Sequence, residues 1–334
     1  MFAKITQFEL NNIDIKQYST GIEIFFKHHN AKSNMKAPPY LQPGDKVAIV
    51  CPASYIKGDI DVAVKTLENW GLTVQVGASV TSQFHQFAGE DTLRTKDLQQ
   101  ALDDPTIKAI IAGRGGYGSV RIIDKLDFSR FIAQPKWLVG FSDITAIHSH
   151  IQRQFNIPTI HGQMAKSFVN STFEALETLK NALFGQHIDI VYSNIDFPNR
   201  SGESEGILIG GNLAILQSIL SSASDVRYDD KILFIEDVGE SHYNIDRMLW
   251  TLKRAHKFDN IKGLIVGGFT SLRDSDPPFG QRFEEIIMDK VSEFRYPVAF
   301  GFPAGHIDDN RALVFGKKVK LHVEEIKVSL KYSF

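Results

Sequence analysis

Short apolar runs alternate with amphipathic stretches through the first half of the chain, and this alternation constrains the fold more than any other feature. Val47–Cys51, Leu72–Val76, Ile107–Ala112 and Trp137–Phe141 have strand length and are rich in Val, Ile and Leu, and Val47–Cys51 is a buried-type run. Ile60–Trp70, Thr92–Leu102 and Ile144–Gln154 lie between and after them with helix-type spacing. Strands and helices alternating every 25–30 residues read as βαβ units on a parallel sheet. At 334 residues the chain is long enough for two such bodies.

The first body is expected over residues 36–165. Residues 166–205, with Pro198, Ser201, Gly202 and Ser204, are expected to form a crossover and a surface loop. A second body is placed at 206–334. It holds Ile207–Ile209, a Gly210-Gly211-Asn212 turn, an inward-facing helix with Leu213, Leu216, Ile219 and Leu220, and buried-type strands at Ile232–Ile235 and Leu264–Val266. Asp246–His256 reads as an amphipathic helix, and Ala312–Val328 as a hairpin-rich segment around Gly316. Residues 1–35 lack the order of a signal peptide and are expected to stand outside the folded body.

Charge and cysteine content narrow the function. The net charge of −2, from 37 basic and 39 acidic residues, provides no field to gather nucleic acid or anionic lipid. No run of 18 apolar residues is present, so neither a nucleic-acid partner nor a membrane span is expected. The single cysteine, Cys51, cannot form an internal disulfide and points to a reducing, cytoplasmic setting.

Three places could carry chemistry. Ser142 follows the strand-like run ending at Phe141, and Asp143 and a helix follow it. A serine on such a strand-to-helix turn is exposed beside outward N–H groups that can hold an oxyanion; a plain Ser142-Asp143 helix cap is the alternative. The position after Asp143 is Ile144, so the usual G-x-S-x-G elbow is not met. Glu236 and Asp237 end a predicted strand, where α/β folds gather function, or open the next segment as solvated caps. His306, in Gly301-Phe302-Pro303-Ala304-Gly305-His306, is displayed on a loop, or is simply exposed.

Other residues carry weaker indications. His148 and His150 lie two apart on a predicted helix and face apart, which is poor spacing for a metal site. His161 reads as structural. Gly113, Gly115 and Gly118 satisfy G-x-G-x-x-G, but in a later βα unit and without a well-placed acidic partner. A tight turn or an oxyanion donor fits that loop better than a dinucleotide. Cys51, on the first strand, reads as a small buried hydrophobe and not as the nucleophile of an amidotransferase.

Taken in order, Gly113-Arg114-Gly115-Gly116-Tyr117-Gly118, Gly140-Phe141-Ser142-Asp143, Gly210-Gly211-Asn212-Leu213, Phe234-Ile235-Glu236-Asp237 and Gly305-His306 resemble the LD-carboxypeptidase family of serine peptidases, which includes the microcin self-immunity proteins. The resemblance spans about residues 40–325. It implies an α/β fold with a flavodoxin-like parallel-sheet N-terminal domain and a swivelling β/α C-terminal domain. It also implies a triad of Ser142, Glu236 and His306 split between them. The backbone N–H groups of Asp143 and of a glycine in the 114–116 turn, Gly115, match the oxyanion hole. No metal or organic cofactor is required, and a homodimer is expected.

The substrate class implied is a peptide or muropeptide, with removal of the terminal D-alanine from cell-wall tetrapeptides during peptidoglycan recycling. Arg114 is a candidate for the substrate's terminal carboxylate. Asn212 is a candidate to line the cleft, or to cap a helix. Two alternatives stand beside this reading. One is a microcin-type immunity peptidase hydrolysing an aminoacyl-nucleotide analogue, disfavoured because no tryptophan falls in 166–205. The other is a two-domain small-molecule binder without catalysis.

Overall fold

The computed structural model describes residues 36–332, together with the backbone of an antiparallel hairpin, Ile13–Tyr18 with Gly21–Phe26. The hairpin belongs to a compact unit, 1–34, separate from the body that begins at Met35. The expectation that residues 1–35 stand outside the fold otherwise lies outside the described residues.

The body holds two sheets. The first contains β1 (Lys46–Val50), β2 (Thr73–Val76), β3 (Ile107–Ala112), β4 (Trp137–Gly140) and β5 (Thr159–His161). These run parallel in the order β2-β1-β3-β4-β5, the flavodoxin-like order, whose switch point lies between β1 and β3. Helices α1 (Asp61–Asn69), α2 (Asp91–Asp103), α3 (Ser129–Ala133) and α4 (Thr145–Phe155) connect them. The glycine-rich loop after β3 is followed by two single turns, Ser119–Arg121 and Ile123–Lys125.

Residues 166–205 are more ordered than expected. They form helix α5 (Phe173–Phe184), strand β6 (Asp189–Ser193) and the start of β7 (Gly202–Asn212). Strand β7 swallows the anticipated Gly210–Asn212 turn: Gly210 and Gly211 pair with Phe234 and Ile235 of β8 (Lys231–Val238). Helix α6 (Leu213–Ser218) then leads on, followed by α7 (His242–Arg254), β9 (Gly263–Thr270), α8 (Phe283–Lys290) and β10 (Val298–Ala299). The last strands are β11 (Leu313–Phe315), β12 (Lys318–Val323) and β13 (Lys327–Tyr332).

The second sheet has the order β10-β9-β8-β7-β12-β13-β6. Its first four strands are parallel and the last three are antiparallel additions. The tail differs from the expected hairpin about Gly316. Strands β12 and β13 form the hairpin, whereas β11 leaves this sheet and pairs antiparallel with β5 at the edge of the first.

Period-two alternation explains the core. Val47 and Ile49 face a shared interior together with Ile232 and Phe234 of the second sheet. Ala48 and Val50 face the α2 and α4 side, and Leu233 and Ile235 face α6–α8. One apolar core thus lies between the sheets and each outer face is covered by helices, as an α/β layer arrangement requires. The carboxyl ends of β4, β7 and β8 deliver Ser142, Asn212 and Glu236.

Candidate active site

Ser142 sits in the single turn Ser142–Ile144 that joins β4 to α4. Its φ is +62°, a left-handed conformation that a side chain enters at a cost of about 1–3 kcal/mol. That bend lifts the hydroxyl off the sheet. The glycine-rich loop after β3 lies against it. A Cβ on Gly115 would stand 2.8 Å from the Ser142 Cβ and 3.1 Å from its Oγ, so only a bare backbone can approach this closely. Among the described residues no acceptor takes the Gly115 N–H.

The loop is held on two sides. The Ser54 N–H donates to the Gly115 carbonyl at 3.1 Å, and the Ser54 hydroxyl accepts the Tyr117 N–H at 3.2 Å. The buried Asp143 carboxylate accepts the Ser119 N–H at 2.8 Å. Burial raises the Asp143 carboxyl above its ordinary range.

Glu236 lies at a register shift between β8 and β9. Such a bulge re-aims side chains, and Glu236, fully buried, faces the Ser142 side. His306 follows Gly305, whose φ of +110° and whose missing Cβ (it would meet Glu236 Cβ at 2.7 Å) let the loop pass over the carboxylate. The Gly305 N–H donates to Asn310 Oδ1 at 2.8 Å, and the Gly268 N–H to the Ala304 carbonyl at 2.9 Å. The first bond braces the loop on itself and the second pins it to β9.

The three side chains meet in a line. The Ser142 hydroxyl is 3.1 Å from His306 Nε2. His306 Nδ1 is 2.5 Å from Glu236 Oε2, which also accepts the His306 backbone N–H at 3.2 Å. Phe141 packs edge-on against the imidazole, with centroids 5.0 Å apart. Burial alone would lower the His306 pKa. The charge and hydrogen bond of Glu236, with the Asp237 charge behind, outweigh it and hold the imidazole above its ordinary value.

Asn212 caps α6: its Oδ1 accepts the Ile215 N–H at 3.2 Å, and its Nδ2 donates to Asp237 Oδ1 at 3.0 Å. Its N–H donates to Thr145 Oγ1 at 3.0 Å. Its amide is therefore engaged inside the protein, as the helix-cap alternative allowed. Asp237 also accepts the Ala214 N–H at 3.0 Å. Burial, reinforced by Glu236, pushes its carboxyl up to about 7. This Thr145–Asn212–Asp237 bridge ties the helix after Ser142 to the strand that bears Glu236; sequence reasoning found Asn212 and Asp237 but not Thr145, an ordinary helix residue. Asn310, a loop residue, was also missed, and Phe141 was named only as a neighbour of Ser142. Arg114 is half-buried and donates one Nη1 hydrogen bond to the Tyr55 carbonyl at 2.7 Å.

The remaining candidates lie elsewhere. His148 Nε2 bonds the Gly140 carbonyl at 2.8 Å and His150 Nδ1 meets Ser224 Oγ at 3.0 Å. His161 is buried against Phe141, Phe234 and Phe315, and burial drives its pKa well down. Burial raises the Cys51 thiol to about 12, which leaves it protonated and unreactive. Among the described residues no group of three or more His, Cys, Asp or Glu is placed to hold a metal ion, and no helix is long and apolar enough to cross a membrane.

Comparison with known proteins agrees with this architecture. A probable murein peptide carboxypeptidase of Bacillus subtilis is 32% identical over 295 residues, covering 86% of this chain and 92% of the relative. A murein tetrapeptide carboxypeptidase of Pseudomonas aeruginosa is 30% identical over 300 residues, covering 86% and 96%. Among solved structures, a muramoyltetrapeptide carboxypeptidase from Oxalobacter formigenes superposes with a TM-score of 0.78 at 27% identity, covering 86% of this chain and 99% of that one. The microcin C7 self-immunity protein MccF shares the fold, with a TM-score of 0.78 at 22% identity over 88% of this chain and 98% of its own. Residues 47–162 match the LD-carboxypeptidase N-terminal domain and residues 205–321 the LD-carboxypeptidase C-terminal domain, and the chain belongs to the LD-carboxypeptidase family of peptidases.

Proposed function

We propose that this chain is a serine LD-carboxypeptidase that removes the terminal D-alanine from murein tetrapeptides in peptidoglycan recycling. The observation that carries this reading is the relay itself: Ser142 Oγ within 3.1 Å of His306 Nε2, whose other nitrogen meets buried Glu236.

His306 accepts the Ser142 proton as Oγ attacks the carbonyl carbon before D-alanine. The N–H groups of Gly115 and Asp143 receive the developing oxyanion. His306 returns the proton to the leaving amine, D-alanine departs, and an ester to Ser142 remains. Water, deprotonated by His306, then hydrolyses that ester. Glu236 fixes the tautomer and stabilises the imidazolium. Arg114, one nitrogen anchored on Tyr55, keeps further N–H groups for the substrate's carboxylate.

Mass spectrometry of a murein tetrapeptide incubated with the protein and with Ser142→Ala tests this reading. Loss of one alanine residue with the parent protein alone supports it. Equal loss with both removes Ser142 from the mechanism. No loss with either, with the protein folded, turns attention to aminoacyl-nucleotide substrates of the immunity type.

A further inference from the structure

Strand β8 has two functional-looking ends. Glu236 stands near one, and Lys231 opens the other, about 16 Å away at about 3.3 Å per residue. Helix α4 spans the same distance, from the turn that bears Ser142 to Arg153 in its last turn. At the far end a cavity of about 500 Å³ opens, with Arg153, Arg227 and Lys231 in its wall. That volume lies in the range of small-molecule sites. Its floor includes Ile207 and Ile209, and Asn156 adds a neutral amide.

The charge arrangement is unusual. The loop before β8 alternates acidic and basic residues, yet only its acids are engaged. Asp225 pairs with Lys257 at 2.8 Å, Asp230 with Lys262 at 2.9 Å, and Asp229, which also reaches the cavity wall, accepts from Asn260 Nδ2 at 3.0 Å. Among the described residues no carboxylate pairs with Arg153, Arg227 or Lys231. Arg153 also complements the carboxyl end of the α4 dipole; Arg227 and Lys231 have no such duty. Lys231 is half-buried, and burial, with the neighbouring Arg227 charge, pushes its ammonium down against the pull of Asp230 and Asp229. Like charges left side by side over a half-apolar floor are an arrangement that a bound anion relieves.

We propose that this cavity is an anion-binding site, separate from the triad, that takes the phosphate or clustered carboxylates of a small organic ligand through Arg153, Arg227 and Lys231. The guanidinium forks suit either group in bidentate fashion, and the apolar floor receives the ligand's body.

Isothermal titration of the full chain with inorganic pyrophosphate and with citrate, at matched ionic strength, tests the proposal. We expect saturable binding of at least one anion, weakened about tenfold or more in Arg153→Gln/Arg227→Gln, because a hydrogen-bonded charge pair is lost. Pyrophosphate alone identifies a phosphate site, citrate alone a carboxylate site, and both a site read by charge. Asn156→Asp, which adds a like charge to the ligand without removing a cation, should weaken binding too. Absence of saturable binding by either anion overturns the proposal. So does unchanged affinity in both variants, or loss of binding in Ser142→Ala, which would place the anion at the triad.

Discussion

A Cβ on Gly115 would stand 2.8 Å from the Cβ of Ser142, although the two residues belong to loops after different strands. The proposed oxyanion donor and the proposed nucleophile are therefore spaced by a missing side chain. Gly115 is not in the left-handed region, so alanine fits its backbone, and its methyl would press on Ser142 and, at 3.3 Å, on the flexible Met164 Cε. We expect Gly115→Ala to keep its melting temperature within a few degrees. Alanine keeps the N–H but its methyl pushes Ser142 away from it, so kcat for D-alanine release should drop by about 10²–10³, as when one oxyanion donor is lost. Undiminished turnover would place the donor elsewhere.

The left-handed φ of Ser142 predicts opposite effects on activity and stability. Ser142→Gly removes the nucleophile and relieves a conformation that glycine adopts freely. Urea unfolding should show a gain of about 1 kcal/mol over Ser142→Ala, while both variants lose about 10⁶ in kcat. Equal stability of the two would mean that the bend stores no strain.

His306 is active as a base only when neutral, and Glu236 holds its proton on to higher pH. The rate should therefore climb with pH through an inflection above the ordinary histidine value. In Glu236→Gln burial prevails, the inflection moves down, and kcat falls about 10⁴-fold as the tautomer is lost. Stability runs the opposite way with pH. The folded pKa is raised, so the contribution of the His306–Glu236 pair is complete below the unfolded value and vanishes as pH rises through the folded one. A pH–rate profile of both proteins, read beside their melting temperatures, checks each half.

Arg114 keeps one nitrogen on the Tyr55 carbonyl, and lysine cannot hold that bond and also present a planar fork. Arg114→Lys should raise KM for the tetrapeptide about tenfold, with kcat changed little. A substrate amidated at its terminal D-alanine should be handled equally poorly by both proteins. An unchanged KM would release Arg114 from this role.

Much of this was legible in the sequence, for identifiable reasons. Strands β1, β3 and β4 are buried on both faces and read as apolar runs, broken only by Lys46 at the start of β1 and Lys108 in β3. Ser142, Glu236 and His306 each sit at a strand end or beside a glycine, where display is a local property. Strand β6 was hidden because its residues alternate at a sheet edge, only Ile190 being fully buried. Strand β11 has three residues and no local pattern can say which sheet it joins. The Gly210-Gly211 pair suggests a turn, yet both lie in strand β7 at φ of +135° and +136°, and are glycine because a Cβ at Gly210 would strike the Phe234 carbonyl, at 1.9 Å, and one at Gly211 the Thr145 side chain. That demand for space comes from neighbours distant in sequence.

Strand β11 has a consequence for how the protein is born. The first sheet is laid down by residue 161, yet its β5 edge waits for Leu313–Phe315, which leave the ribosome shortly after His306. An exposed β edge invites pairing with other chains, so a nascent or truncated product is both adhesive and without its base. Completion of the edge and acquisition of the proton relay fall within ten residues of each other. A chain that ends before residue 306 therefore lacks both the strand that closes this edge and the histidine that faces Ser142.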